Sequence, residues 1–262
     1  MSRMNNNVSE GKARKQITNT IVHVILAILA FIWVLPIFWV VLTSFRAEKG
    51  SYVTTFFPKS YTINNYVKLF TDTSILNFPK MFFNTFIIAV FTCIISTVFV
   101  LSVSYCMSRM RFKMRKPYMN IAMILGLFPS FMSMIAVYYI LKAINLAEGS
   151  MIRIALIIVF SAGSGVGFYV AKGFFDTIPR ALDEAATIDG ASKARQFFSI
   201  TLPLITPVVF YNLVTQLCQA FQEFNGPYII TQGGPRGATT LLSLLIYNRA
   251  FQDYEMGMAS AM

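Results

Sequence analysis

The sequence predicts an all-α, multi-pass membrane protein, and three observations carry that prediction. The 262 residues are 56% hydrophobic and only 13% charged, with a mean hydropathy of +0.60. That is more apolar surface than a soluble core of this length can bury. Apolar runs near 17–43, 84–108, 118–141, 150–171 and 204–225 each reach the roughly 20 residues a helix needs to cross about 30 Å of hydrocarbon. None of these runs alternates apolar and polar residues, as the short strands of a membrane barrel would. The reading is five complete spans plus the start of a sixth, within one transmembrane domain over 1–262.

The first run follows Lys12, Arg14 and Lys15, as a secretory signal would. It outlasts the apolar core of a signal peptide and has no small-residue cleavage site, so it is read as a retained span. The net charge of +11 is spread in a way that argues against nucleic-acid binding. Arg3, Lys12, Arg14 and Lys15 precede span one. Arg109, Arg111, Lys113, Arg115 and Lys116 crowd the link between spans two and three, and Lys172, Arg180, Lys193 and Arg195 lie between spans four and five. These segments alternate along the chain as same-side loops must. The positive-inside rule then puts them, and the N-terminus, in the cytoplasm.

Under this orientation the loop 44–83 is external; it contains a helix-like stretch, "TINNYVKLF". Cys93, Cys106 and Cys218 show no CxxC spacing and read as free packing residues, and His23 as the only histidine makes a histidine metal site untenable. "GSGVG" at 163–167 imitates a dinucleotide fingerprint but follows no strand. It reads as close helix packing or a kink in span four. The external loop 226–254 opens on "GPYIITQGGPRGATT", where glycines and prolines set turns, and "YEMGMASAM" reads as the opening turns of a sixth helix cut short. No GxxxxGK[ST], HExxH or GxSxG occurs. The chain is therefore not read as an enzyme or as a nucleotide binder.

The polar insert between spans four and five, 177–203, is the most informative segment. Pro179 suits the first turn of a helix, and Asp183 and Glu184 follow soon enough to complement its dipole. The helix runs through Ala185, Ala186 and Ile188 and breaks at Asp189-Gly190, where Gly accepts a left-handed backbone. A second short helix from about Ser192 to Thr201 ends before Leu202-Pro203. The result is a helix-turn-helix elbow on the cytoplasmic side, with an alanine pair that admits another surface and acids that orient it.

These residues resemble a known pattern. Glu184-Ala185-Ala186, then Gly190, then Ile200-x-Leu202-Pro203 are similar to the EAA motif of permease subunits of bacterial binding-protein-dependent ABC importers. The longer "IPRALDEAATIDGAS" resembles the carbohydrate branch of that family, of the maltose and maltooligosaccharide type. The resemblance implies a bacterial plasma-membrane permease paired with a second permease subunit, two cytoplasmic ATPase subunits and an external or periplasmic solute-binding protein. It implies that ATP and Mg are bound by the ATPase, with no cofactor in this chain, and that Asp183, Glu184, Ala185, Ala186, Ile188, Asp189, Gly190 and Ala191 dock on it. "LPIFWVVLTSFR" is similar to one half of such a permease pair, whereas "TQGGPRGATTLLSLLIYNRAFQDYEMGMASA" is similar to the other, so which half this is stays open.

Asn212, Gln216, Gln219 and Glu223 fall within about 60° of helical arc in span five. A polar stripe in hydrocarbon faces either a helix interface or a water-filled path, and the second reading makes it part of a sugar pathway. Tyr228 and the Gly233-Gly234-Pro235 turn are the expected binding-protein contacts. Two alternatives remain: the same machine for another solute such as a glycerol phosphate, and an ion-coupled carrier needing no ATPase.

Overall fold

The computed structural model describes residues 2–48, 50, 55–71, 77–146, 149–163, 167–234 and 237–262. Among these there is no β-strand, only an isolated antiparallel bridge between Arg46 and Tyr61. The chain divides into two compact units, Met1–Asp72 with Ile246–Met262, and Thr73–Leu245.

The first unit holds helices α1 (Ser2–Ser44) and α2 (Asn64–Thr71), and α13 (Met256–Ala261) at the end of the chain. Within Lys15–Ser44 of α1 the most apolar 18-residue window has a mean hydropathy of 2.9 and none of it is buried, as expected of a helix whose solvent is lipid. Its end is tied down by polar bonds. Asn65 Nδ2 donates to the Ser44 and Arg46 carbonyls, both at 2.9 Å, and the Ser44 and Tyr66 hydroxyls meet at 2.7 Å. Gly257 sits so close that a Cβ there would lie 2.9 Å from Asn65 Nδ2 and 3.0 Å from the Arg46 carbonyl. Arg46 is itself 5% exposed and pairs with Glu48 at 3.1 Å. Burial opposes ionisation of Glu48, yet the N–H groups of Lys59 and Ser60 and the Arg46 guanidinium hold its carboxyl below the ordinary carboxylate range.

The second unit is organised around α3 (Phe78–Arg109), which begins where Asn77 Oδ1 accepts from Lys80 N at 3.1 Å. Its buried face carries Thr85, Ala89, Thr92, Ser96, Val100, Ser104 and Ser108, spaced three or four apart and almost all small. Small residues let helix backbones approach, which matters in a bilayer because lipid and side chain are equally apolar and packing supplies the attraction. Against this face lie α6 (Ile152–Gly163), α7 (Gly167–Thr177) and α11 (Thr206–Gln222). Val100, Phe168, Ala171, Phe175, Ile205 and Val208 form the core where α3, α7 and α11 meet.

Two expected spans are bent. The run 118–141 forms a bent pair, α4 (Arg115–Gly126) and α5 (Ser130–Ala143), inclined at 105°. Gly126 ends the first, and Pro129 starts the second in extended backbone (φ −56°, ψ 131°), a conformation that cannot continue a helix. In the fourth run α6 and α7 meet at 50°. Of the GSGVG segment between them, residues 164–166 lie outside the described residues. A third bent pair, Lys193–Leu204 with Thr206–Thr231, is inclined at 75°; Lys15–Ser44 and Phe78–Arg109 are long enough to cross singly, and the count reaches five if each of the three bent pairs is one span.

The loop expected over 226–254 is largely helical. Pro227–Thr231 forms a π turn, α12 covers Leu242–Tyr247, and Asn248–Gln252 forms another π turn. Ile230, Leu241, Leu244 and Leu245 are buried in the second unit, so the apolar residues between the glycines override the turn signals.

Candidate functional site

The elbow forms between α7 and α11. Helix α8 covers Arg180–Ile188, with Pro179 just before it. Asp189 closes it, Gly190 adopts φ +77°, Gly190 N bonds to the Thr187 carbonyl at 3.1 Å and Ala191 N to the Ala186 carbonyl at 2.9 Å. These two reversed bonds make a Schellman stop, which requires a left-handed residue at the glycine. Ser192 Oγ then accepts from Arg195 N at 3.3 Å and opens α9 (Lys193–Gln196). The second helix does not end before Leu202-Pro203. It passes through a π turn, Phe197–Thr201, into α10 (Leu202–Leu204). Proline is tolerated there because it stands in the first turn of the new segment.

Gln196 holds the two arms of the elbow together. It is 2% exposed; its Nε2 donates to Thr187 Oγ1 at 3.0 Å and to the Ala191 carbonyl at 2.9 Å, and its Oε1 accepts from Lys193 Nζ at 3.2 Å. The sequence reading missed this residue. Its signal is a lone amide followed at once by two phenylalanines.

The eight elbow residues divide between two faces. Glu184, Ala185, Ile188, Asp189 and Gly190 are exposed, Ile188 at 86%. Ala186 is buried at 5%, so only one alanine of the pair can admit another surface, and Asp183 and Ala191 are half-buried. Asp183 points inward, its Oδ2 3.1 Å from Arg109 Nη1. Arg109, Arg111, Arg180, Lys193, Asp183 and Glu184 help line a cavity of about 440 Å³ beside the elbow.

The polar stripe of α11 splits in the same way. Gln216, Gln219 and Glu223 line a cavity of about 230 Å³ with Thr92, Phe160 and Asn225. Asn212 is absent from that lining; it is 4% exposed and donates to the Val208 carbonyl of its own helix at 3.0 Å. Glu223 stands at the end of α11 and its Oε1 accepts from Gly226 N at 3.2 Å. The Thr92 hydroxyl is buried and has no protein partner among the described residues.

Of the turn residues beyond α11, Tyr228 is 43% exposed and stacks on Phe224 with ring centroids 5.0 Å apart. Gly233 is buried at φ +81°, Gly234 is half-buried and donates to the Thr231 carbonyl at 2.8 Å, and Pro235 lies outside the described residues. Cys93 is buried and its thiol donates to the Leu213 carbonyl at 3.2 Å, whereas Cys218 is exposed; all three cysteines are free.

Long apolar helices, bent helix pairs and a polar cavity between helices define the class: a multi-pass membrane protein. The profile of the family described as binding-protein-dependent transport system inner membrane component matches residues 101–262, and the chain belongs to that family. It is 32% identical over 202 residues to the galactooligosaccharides transport system permease protein GanQ of Bacillus subtilis, covering 77% of this chain and 70% of that protein. It is 30% identical over 210 residues to the maltodextrin transport system permease protein MdxG of the same organism, covering 80% and 72%. A chain of a bacterial ABC transporter involved in the import of the acidic polysaccharide alginate has the same fold, with a TM-score of 0.73 over 94% of this chain and 89% of that one at 18% identity.

Proposed function

We propose that the chain forms half of the translocation path of an ATP-driven, binding-protein-dependent importer of a sugar, with an oligosaccharide as the expected cargo. The observation that carries this is the elbow's outer face: Ile188 at 86% exposure beside Glu184, Ala185 and Gly190, on a bend whose inner polar groups bond within the elbow or to Arg109. An apolar side chain projecting from a rigid frame is the usual form of an interface anchor. The relatives move galactooligosaccharides and maltodextrins, which is what supports a glycan as cargo.

In this reading the N-terminus and elbow are cytoplasmic. The elbow docks on an ATPase subunit that binds ATP and Mg, and a second permease supplies the other half of the path. Gln216, Gln219 and Glu223 exchange hydrogen bonds with sugar hydroxyls, with Asn212 behind them. Tyr228 and Gly234 face the solute-binding protein, and the buried Gly233 shapes their turn. The test is purification from native membranes followed by reconstitution. Co-purification of an ATPase and a solute-binding protein, with uptake only when ATP is present, is expected. Uptake by the lone chain under an ion gradient would overturn the reading.

A further inference from the structure

The coupling reading leaves a mechanical gap. The elbow is joined covalently to α7 through Ile178 and Pro179, and to α11 through α9 and α10, but not to α3. Yet α3 contributes Thr92 to the polar cavity, and Thr92 lies 17 residues, or about 25 Å of helix, from the end of α3 at Arg109. A docked partner that moved the elbow would carry α11's side of that cavity with it directly, but would move the α3 side only through contacts between α3 and the elbow or its neighbours.

Arg109 bridges the gap. Its side chain is 7% exposed. Nη1 lies 3.1 Å from Asp183 Oδ2 in the first turn of α8. Nη2 donates to the Phe175 carbonyl at 2.9 Å and the Ile178 carbonyl at 2.8 Å, at the C-terminal end of α7. A guanidinium suits this place because its planar fork serves several acceptors at once, and because a cation complements the negative pole at a helix C-terminus. The neighbouring Ser108 adds a second tie to α7, donating to Asp176 Oδ1 at 2.5 Å, but it does not reach the elbow. The remaining link is aromatic: the Tyr105 ring meets Phe175 at 5.9 Å and Phe197 at 4.9 Å, both edge to face. Packing of that kind resists compression, whereas the ion pair also resists being pulled apart.

We infer that Arg109 is a positioning residue that couples the elbow to α3, so that movement imposed on α8 reaches the solute cavity. This rests on the coupling reading proposed above. The experiment uses the complete importer in proteoliposomes, with Ala181→Cys, an exposed position on α8, to report elbow docking by crosslinking to the ATPase. Arg109→Gln is expected to keep the crosslink and ATP hydrolysis within about twofold, while solute moved per ATP falls about tenfold. Arg109→Lys keeps the charge but not the fork that serves three acceptors, and should fall between the wild type and Arg109→Gln. If Arg109→Gln fails to assemble, the milder Arg109→Lys carries the test.

Unchanged solute per ATP with the crosslink intact would overturn the assignment. Failure of the otherwise unmodified chain to crosslink at all would instead remove the coupling reading, and Arg109's role with it.

Discussion

Two bends in this chain are built with the same chemistry to different ends. The elbow at Asp189-Gly190 and the turn at Gln232-Gly233 both use left-handed backbone, at φ +77° for Gly190 and φ +48° and +81° for the latter pair. In the turn the polar side chains bond to one another or to the loop backbone. Thr239 Oγ1 lies 2.7 Å from Thr231 Oγ1 and 2.5 Å from the Gly234 carbonyl, and Thr240 Oγ1 donates to the Gly233 carbonyl at 3.2 Å. In the elbow only the inner face is bonded this way, through Gln196, Thr187 and Asp183, and the outer face is left to water. A bend whose side chains are consumed internally shapes the chain. A bend rigid within and open without is suited to being gripped.

The largest expected effect separates these roles. Ile188→Glu puts a charge where a partner would exclude water, and should weaken capture of the ATPase by about 3 kcal/mol, more than a hundredfold. Because Ile188 is 86% exposed in this chain, the thermal midpoint of the purified chain should not move. Equal capture in a pull-down titration would remove the contrast.

The next largest effect falls on the turn. At Gly233 an added Cβ would lie 2.5 Å from Thr240 Oγ1, whereas at Gly190 nothing lies within 4 Å. Gly190→Ala carries only the left-handed backbone cost, about 1–2 kcal/mol. Gly233→Ala adds displacement of a bonded hydroxyl and should cost about 1 kcal/mol more. Thermal unfolding of the two variants should therefore rank Gly233→Ala as the less stable, and the reverse order would mean that Thr240 rotates away freely.

The elbow was legible in sequence because its determinants are local: Pro179 marks its start, Asp189-Gly190 its stop, and Ser192 the next cap. What holds it was not legible. Arg109 reads naturally as one cation among five in a basic link, and only the meeting of α3, α7 and α8, 66 to 74 residues apart in sequence, shows that it is buried and bonded. The break between α4 and α5 was overlooked for the opposite reason. Its signals, Gly126 and Pro129, are local, but they were outweighed by an apolar run of membrane length. The small-residue face of α3 was hidden because between Thr85 and Ser104 every residue is apolar or small, so no charge marks the side that faces away. Asn212 shows the limit of a stripe argument. Shared arc puts four polar groups on one side of α11, but position along the axis decides which of them reach a cavity.

The smallest expected effect tests whether the turn is held by a cooperative knot or by redundant bonds. The Thr239 and Thr231 hydroxyls have one proton each, so of the contacts Thr239 to Gly234, Thr239 to Thr231 and Thr231 to Pro227 only two can be hydrogen bonds at once. Thr239→Val keeps the shape and removes two of the three contacts. Thr231 still donates to the Pro227 carbonyl, and the net loss should be near 1 kcal/mol. That corresponds to about fivefold faster hydrogen exchange at the Gly233 and Gly234 amides, both of which bond to Thr231. The elbow amides of Asp189, Gly190 and Ala191 should exchange unchanged, because their acceptors are carbonyls of α8. Unaltered exchange at Gly234 would mean that the buried backbone holds the turn without its hydroxyls, and the distinction between the two bends would then rest on Ile188 alone.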